Sequence, residues 1–234
     1  MKKKIIVILV LFIFLIPISF IFSQEGWILQ TSGTTNDLYD VFCIGQNNCW
    51  TVGIKGTILR TTDGGTNWVS QIEIPLEDFF SVQFINPDTG WAVSLHLEGP
   101  PGEPFFGTIF STSDGGINWI PGQSFPELKE VFFTDQDTGW VVDNWDADFG
   151  RIHKTTDGGL NWTIQFTGTP HNRLFSISFE DANTGWAVGD HGIILRTTNG
   201  GIPTTFQSSV SVSDGWNMVS ASGINPEGMR INNW

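Results

Sequence analysis

Apolar and polar positions alternate in short runs along most of the chain. Clear examples are LYDVFCI (38–44), FFSVQFI (79–85), LKEVFFT (128–134) and LFSISFE (174–180). Each run is bounded by Asn, Asp and Gly, so each reads as a β-strand ended by turns. From residue 24 onward no stretch carries a convincing helical period, and the pattern predicts an all-β fold.

The runs recur in a fixed order. A turn followed by tryptophan appears as NNCWTVG ending at Gly53, DTGWAV at Asp88–Val93, DTGWVV at Asp137–Val142 and NTGWAVG at Asn183–Gly189. A glycine, an apolar pair and threonines follow as GTILRTT from Gly56, GTIFSTS from Gly107, GRIHKTT from Gly150 and GIILRTT from Gly192. Next come TDGGTNW to Trp68, SDGGINW to Trp119, TDGGLNW to Trp162 and TNGGIP to Pro203. The glycine-led runs are spaced 42 to 51 residues apart, the spacing of propeller blades. Four short strands per repeat fit one blade. Strand A is the LFSISF type, strand B carries Gly-Trp, strand C is G-x-I-L-R-T-T, and strand D begins at Asn-Trp. The expected fold is therefore a β-propeller of about four blades over residues 24–205.

The fourth copy lacks the Trp-bearing strand D, whereas EGWILQ at residues 25–30 looks like a strand D without its own A, B and C. The N-terminal strand around Trp27–Gln30 is thus a candidate to complete the last blade and close the ring. The alternatives are an open arc of blades or a piece of a longer protein. From about Phe206 the repeat stops, and residues 206–234 read as the start of a further, truncated β region.

The T-D-G-G-x-N-W segments resemble the Asp box of BNR-type repeats. Asp63, Asp114 and Asp157 are expected to accept hydrogen bonds from their own turns. The paired glycines permit positive φ, and Trp68, Trp119 and Trp162 plug the blade. Asn199 takes the aspartate's place in the fourth copy. One acid per repeat serves the blade, not a single active site, and Trp50, Trp91, Trp140 and Trp186 read as blade core on the same reasoning.

Taken together, D-x-x-T-G-W-A-V-G, G-x-I-L-R-T-T and T-D-G-G-x-N-W resemble the photosystem II assembly and stability factor-like repeat family, over about residues 26–202. That resemblance implies a propeller acting as an assembly scaffold through a basic patch. The chain departs from the patch, having only Arg60, Arg151, Arg173, Arg196 and Arg230. The resemblance therefore carries the fold and not a photosynthetic role.

Compartment and charge narrow the partners. Lys2, Lys3 and Lys4 precede an uncharged run from Ile5 to Phe22, with Ser23 before Gln24, as in a cleaved signal peptide over residues 1–23. The expected product is exported, to the periplasm, cell surface or medium, without stable membrane insertion. Cleavage takes the formal charge from −13 to −16. Such acidity opposes binding to nucleic acid and leaves a protein or glycan partner. In an oxidising compartment Cys43 and Cys49 are expected to pair across a hairpin.

Catalytic signals are thin. A sialidase-like glycoside hydrolase, the rival to a non-catalytic scaffold, needs an arginine cluster and a Tyr/Glu pair. Tyr39 is the only tyrosine, and Arg60 and Arg196 hold equivalent positions in different repeats. His96, His153, His171 and His191 show no metal-ligand spacing and read as surface or turn residues. Asp143, Asp146 and Asp148 loosely resemble a calcium loop but lack its twelve-residue pattern and terminal Glu. They read as a solvated acidic loop, and no cofactor is expected. Function is expected in the irregular loops opposite the Asp boxes, where Phe105, Phe106, Trp145 and Phe149 are candidate contacts or fold back onto the blades.

Overall fold

The computed structural model describes residues 26–71, 74–96, 105–145 and 149–202. These residues form a four-bladed β-propeller arrangement of antiparallel sheets. Blade 1 comprises β1 (Leu38–Ile44), β2 (Asn48–Gly53), β3 (Ile58–Thr61) and β4 (Val69–Ser70). Blade 2 comprises β5 (Glu77–Phe84), β6 (Gly90–His96), β7 (Phe106–Thr112) and β8 (Ile120–Pro126). Blade 3 comprises β9 (Glu130–Phe133), β10 (Gly139–Trp145), β11 (Phe149–Thr155) and β12 (Thr163–Thr167). Blade 4 holds only β13 (Leu174–Phe179), β14 (Gly185–Gly189) and β15 (Ile194–Thr197), joined by a single 3-10 turn at Asp190–Gly192. Within every blade the strands pair in chain order. The expected leader (1–23) and residues 206–234 lie outside the described residues.

Residues 26–30, the described part of the N-terminal unit Met1–Gln30, contain no strand. The strand expected at Trp27–Gln30 is therefore not part of the fourth sheet, which is left with three members.

Each interface between blades has its own core. Trp50, Val52 and Ile58 of blade 1 meet Phe79, Val82 and Phe84 of blade 2. Trp91, Val93 and Ile109 meet Val131, Phe133 and Val141 of blade 3. Trp140 and Val142 meet Leu174, Ile177, Phe179 and Ala187 of blade 4.

One device recurs at all three. The strand-B tryptophan lies flat on the strand-A phenylalanine of the next blade, with centroids 3.7 Å apart for Trp50–Phe84, 3.5 Å for Trp91–Phe133 and 3.6 Å for Trp140–Phe179. Its indole N–H donates to the first glycine carbonyl of the next Asp box: Gly115 at 2.8 Å, Gly158 at 3.0 Å and Gly200 at 3.3 Å. Apolar area is thereby buried without stranding the indole donor. The phenylalanine in turn needs a glycine opposite it. A Cβ on Gly90, Gly139 or Gly185 would stand 2.4–2.5 Å from the ring of Phe84, Phe133 or Phe179.

Polar clamps accompany the stacks. Asp40 accepts from the Val82 amide, Glu130 from the Ile177 amide, and the Gln83 side chain bonds both backbone groups of Phe133. Asn144 does the same for Leu174.

Two positions break the repeat. In blade 1 the Phe/Gly pair is replaced by Cys43 opposite Cys49, which form a disulfide between β1 and β2. In blade 4, Trp186 is 39% exposed, whereas Trp50, Trp91 and Trp140 are buried. The expectation that Trp186 is blade core is thus corrected. No described blade follows the fourth, so its tryptophan faces outward with Phe175, Val188 and Ile194.

The three Asp boxes are superposable hydrogen-bond sets. Asp63 accepts from the Asn67 amide (2.9 Å), the Asn67 side chain (2.7 Å) and Thr61 (2.8 Å). Asp114 uses Asn118 and Thr112, and Asp157 uses Asn161 and Thr155. Asn199 keeps the bond from Thr197 but turns its amide to the Ile202 carbonyl, because Pro203 stands where the others have asparagine. Each box also ties to the A–B turn of its own blade, as in the bonds from Gly115 to Asp88 and from Gly158 to Asp137. Both turn types therefore share one face of the molecule.

These bonds hold the Asp63 and Asp114 carboxyls below the ordinary range, chiefly through the Asn67 and Asn118 amides, and Asp157 chiefly through the Asn161 side chain. A depressed folded pKa gives stability that is present above the unfolded value of about 3.9 and is lost as pH falls through the folded value. Glu130 has the opposite sign. Burial raises its pKa, so its protonation in the folded state, which begins on the way down to the ordinary glutamate range, favours folding as pH falls. The urea midpoint is expected to hold from neutral pH to about pH 5 and to collapse below about pH 4. Replacing Asp63, Asp114 and Asp157 by Asn, as at position 199, should flatten that acid limb. An unchanged limb in the triple variant would mean that other carboxylates set it.

Candidate functional site

The face opposite the Asp boxes carries the B–C and D–A connections. On it, blades 2 and 3 depart from the repeat. Three positions that are Gly53, Thr57 and Leu59 in blade 1 are Asp143, Arg151 and His153 in blade 3. Asp143 and Arg151 are cross-strand neighbours on β10 and β11, and His153 lies two residues further along. The Asp143 carboxylate is fully buried. It accepts two bonds from Arg151, Nε at 2.8 Å and Nη2 at 2.6 Å, and meets His153 Nε2 at 3.0 Å. A bidentate fork of this kind fixes the guanidinium plane. The Trp145 ring lies over that plane with its centroid 4.6 Å away, and is 49% exposed. Trp145 is thus a half-open aromatic platform on a rigid charged base.

The base reaches blade 2. His153 packs on Phe125 at 4.3 Å, Phe125 adjoins Pro126, and Pro126 pairs with Phe106. Phe105 accepts a backbone bond from Glu127, and both Phe105 and Phe106 are about half exposed. Phe149 pairs with Trp145 across the strands and bridges to Asn172. The four aromatic candidates therefore form two pairs, one on each blade, linked through Phe125, His153 and Asp143.

Two expectations are corrected here. Asp143 is not part of a solvated loop but the buried centre of an ion network, because β10 runs to Trp145. His153 is not a surface residue, because it occupies a core position of strand C. Asp146 and Asp148 lie outside the described residues, and among the described residues no group of three or more potential metal ligands comes together. The sequence gives no reason to join Arg151 and His153 to Asp143, or to connect Phe125 with them. What it does show is a polar departure at repeat-equivalent positions within one blade.

Blade 2 has a smaller polar group. Glu77 bonds His96 Nδ1 at 3.0 Å through one oxygen and Ser94 Oγ at 2.5 Å through the other. The carboxylate stands between the histidine and the serine, so this is not a relay that would activate the hydroxyl. Tyr39 stacks on Phe80 at 5.1 Å. Arg60, Lys154 and Arg196 each lie over the tryptophan of their own blade, at 5.2, 4.9 and 5.5 Å. These three cations lie on blades 1, 3 and 4 instead of being gathered.

Residues 120–208 match the family model described as photosynthesis system II assembly factor YCF48. Residues 120–208 are therefore similar to the repeats of that family. No curated protein matches the chain. Among solved structures, YCF48 bound to D1 peptide is 20% identical, with 70% of this chain and 66% of that chain covered and a TM-score of 0.46. A GH74 enzyme of Niastella koreensis is 14% identical, with 74% and 32% covered and a TM-score of 0.57. The computationally designed Ika4 protein is 13% identical, with 75% and 99% covered and a TM-score of 0.50. At these identities the likeness is one of fold. The chain spans just under two thirds of the YCF48 structure and about a third of the GH74 enzyme. Within the repeats, the Asp143–Arg151–His153 group of blade 3 and the outward Trp186 depart from repeat symmetry.

Proposed function

We propose that this chain is an exported, non-catalytic propeller scaffold that holds a protein partner on the rim of blades 2 and 3. The observation carrying this reading is Trp145, half exposed and seated on the Arg151–Asp143 pair. Rigid aromatic anchors of this kind dominate binding energy at interfaces. Phe105 and Phe106 supply a second apolar contact on the neighbouring blade. Two described carboxylates near the rim are committed: Asp143 to Arg151 and His153, and Glu77 to Ser94 and His96. The cleft of about 260 Å³ between β8 and the third Asp box, lined by Ser111, Pro121, Gly122, Gln123 and Leu160, contains no titratable side chain.

A photo-crosslinking amino acid at Phe106 or Trp145, in the chain expressed in its own host, is expected to yield one discrete protein adduct. The same probe at Ile117, exposed on the opposite face, should yield none. Equal labelling at all three positions would overturn the rim as the binding site. Turnover of xyloglucan or a fluorogenic sialoside by the purified chain, abolished by a single substitution, would overturn the non-catalytic reading.

A further inference from the structure

The cation over the strand-B tryptophan recurs in blades 1, 3 and 4 and is absent from blade 2. It comes from the cross-strand neighbour on strand C: Arg60 opposite Trp50, Lys154 opposite Trp140 and Arg196 opposite Trp186. In blade 2 the residue opposite Trp91 is Ser111.

The two interior seats are built alike. Phenylalanine stacks on one face of Trp50 and of Trp140, and the cation lies over the same ring at 5.2 and 4.9 Å. The Arg60 guanidinium fills the space in front of Gly115, and Lys154 Nζ fills that in front of Gly200. Each is the first glycine of the next Asp box. A carbonyl from the A–B turn of that next blade completes the seat. Arg60 Nη2 donates to the Pro87 carbonyl at 3.4 Å, and the Ala182 carbonyl borders the place of Lys154 Nζ.

The seat between blades 2 and 3 has every part but the cation. Trp91 lies on Phe133 at 3.5 Å and donates its indole N–H to Gly158 at 3.0 Å. Gln136 supplies the carbonyl, at the turn position held by Pro87 and Ala182 in the other two. Among the described residues that oxygen is the only atom beyond the chain neighbours within 4 Å of the space in front of Gly158. The cleft of about 260 Å³ opens at this point, lined by Trp91, Ser111, Ile120, Pro121, Gly158 and Leu160.

We propose that this cleft binds a small organic cation, an ammonium or guanidinium on a short alkyl chain, in the seat that Arg60 and Lys154 fill from within at the neighbouring interfaces. The charge sits over the Trp91 ring, held by the indole quadrupole, and donates to the Gln136 carbonyl. Ile120, Pro121 and Leu160 offer apolar surface to the alkyl chain. The formal charge of −13 favours a cation over an anion here. The seat adjoins the third Asp box, on the face opposite the rim, and is independent of the partner proposed there.

The test titrates butylguanidinium into the isotope-labelled full chain and follows the Trp91 indole N–H by NMR. Half-saturation at about 1–10 mM is expected, as for a small fragment held by one cation–π contact and one hydrogen bond. Butylurea, its neutral isostere, should bind at least about tenfold more weakly. Ser111→Arg puts the repeat's own cation into the seat and should abolish binding, as should Ser111→Lys. Unchanged Trp50 and Trp140 indole signals report that these variants are folded. Ser111→Ala keeps the room and should retain binding. A blocked Gly-Gly-Arg-Gly-Gly peptide separates a free cation from a protein side chain. It should bind more weakly than butylguanidinium, because the cleft has no room for flanking backbone. Tighter binding of the peptide would overturn the free cation as the ligand. No saturation by about 100 mM, equal affinity for butylurea, or undiminished binding by folded Ser111→Arg would each overturn the seat itself.

Discussion

Alanine in place of Trp140 is expected to destabilise the protein by about 3–5 kcal/mol, and the same change at Trp186 by about 1 kcal/mol or less. The two residues occupy one position of the repeat and differ only in what comes next. Trp140 is fully buried, stacked on Phe179 and hydrogen-bonded to Gly200. Its removal leaves a cavity at the blade 3–4 interface and strips Phe179 of its cover. Trp186 keeps the Arg196 cation over its ring but has no described phenylalanine to stack on. Repeat proteins draw much of their stability from such nearest-neighbour terms. Trp50 and Trp91, both interior, should follow Trp140. Urea unfolding monitored by far-ultraviolet circular dichroism measures the series. A Trp186 loss matching the interior three would show that its outward face is covered in solution.

Replacing Asp143 with alanine is expected to cost about 3–5 kcal/mol, because it leaves Arg151 without its counter-ion in a site largely closed to water. Arginine cannot shed its proton to relieve this, and His153 loses its partner as well. The platform under Trp145 loosens in consequence, which steady-state tryptophan fluorescence should report as a red shift. The repeat itself supplies the rescue. Ser94, Thr108 and Leu59 occupy the equivalent positions in other blades, so Asp143→Ser with Arg151→Thr and His153→Leu should recover most of the loss. An apolar or neutral replacement of a whole buried ion network is often neutral or stabilising. Recovery of stability without recovery of rim binding would separate the network's positioning role from its structural one. No recovery would mean that the surrounding blade has adapted to the ions.

The blade order was legible because Gly-Trp and Asp-Gly-Gly mark the same two turns in every copy. The face shared by the turns followed from the same register, and the paired cysteines from their close spacing. What was not legible came from treating equivalent positions as equivalent environments. Trp186 matches Trp140 letter for letter, yet burial depends on a neighbouring blade that the position does not encode. Asp143 reads as loop acid because DNWDADFG is polar. Only the extension of β10 to Trp145, opposite Arg151, puts its carboxylate inside. The strand expected at Trp27–Gln30 rested on its likeness to a strand D and on the fourth copy's lack of one, and the described fourth sheet does not include it.

The disulfide of blade 1 acquires a meaning from the outward tryptophan of blade 4. A module with a tryptophan at one end and the matching phenylalanine at the other would add to itself head to tail. Such heterologous contacts, where they do not close, grow into filaments. At the leading end of this chain the phenylalanine's place is held by Cys43, tied to Cys49. A ring of Trp186 from another molecule would meet sulfur and Val41 there instead of an aromatic face. Blade 1 therefore presents a disulfide, and not the matching phenylalanine, to an outward tryptophan.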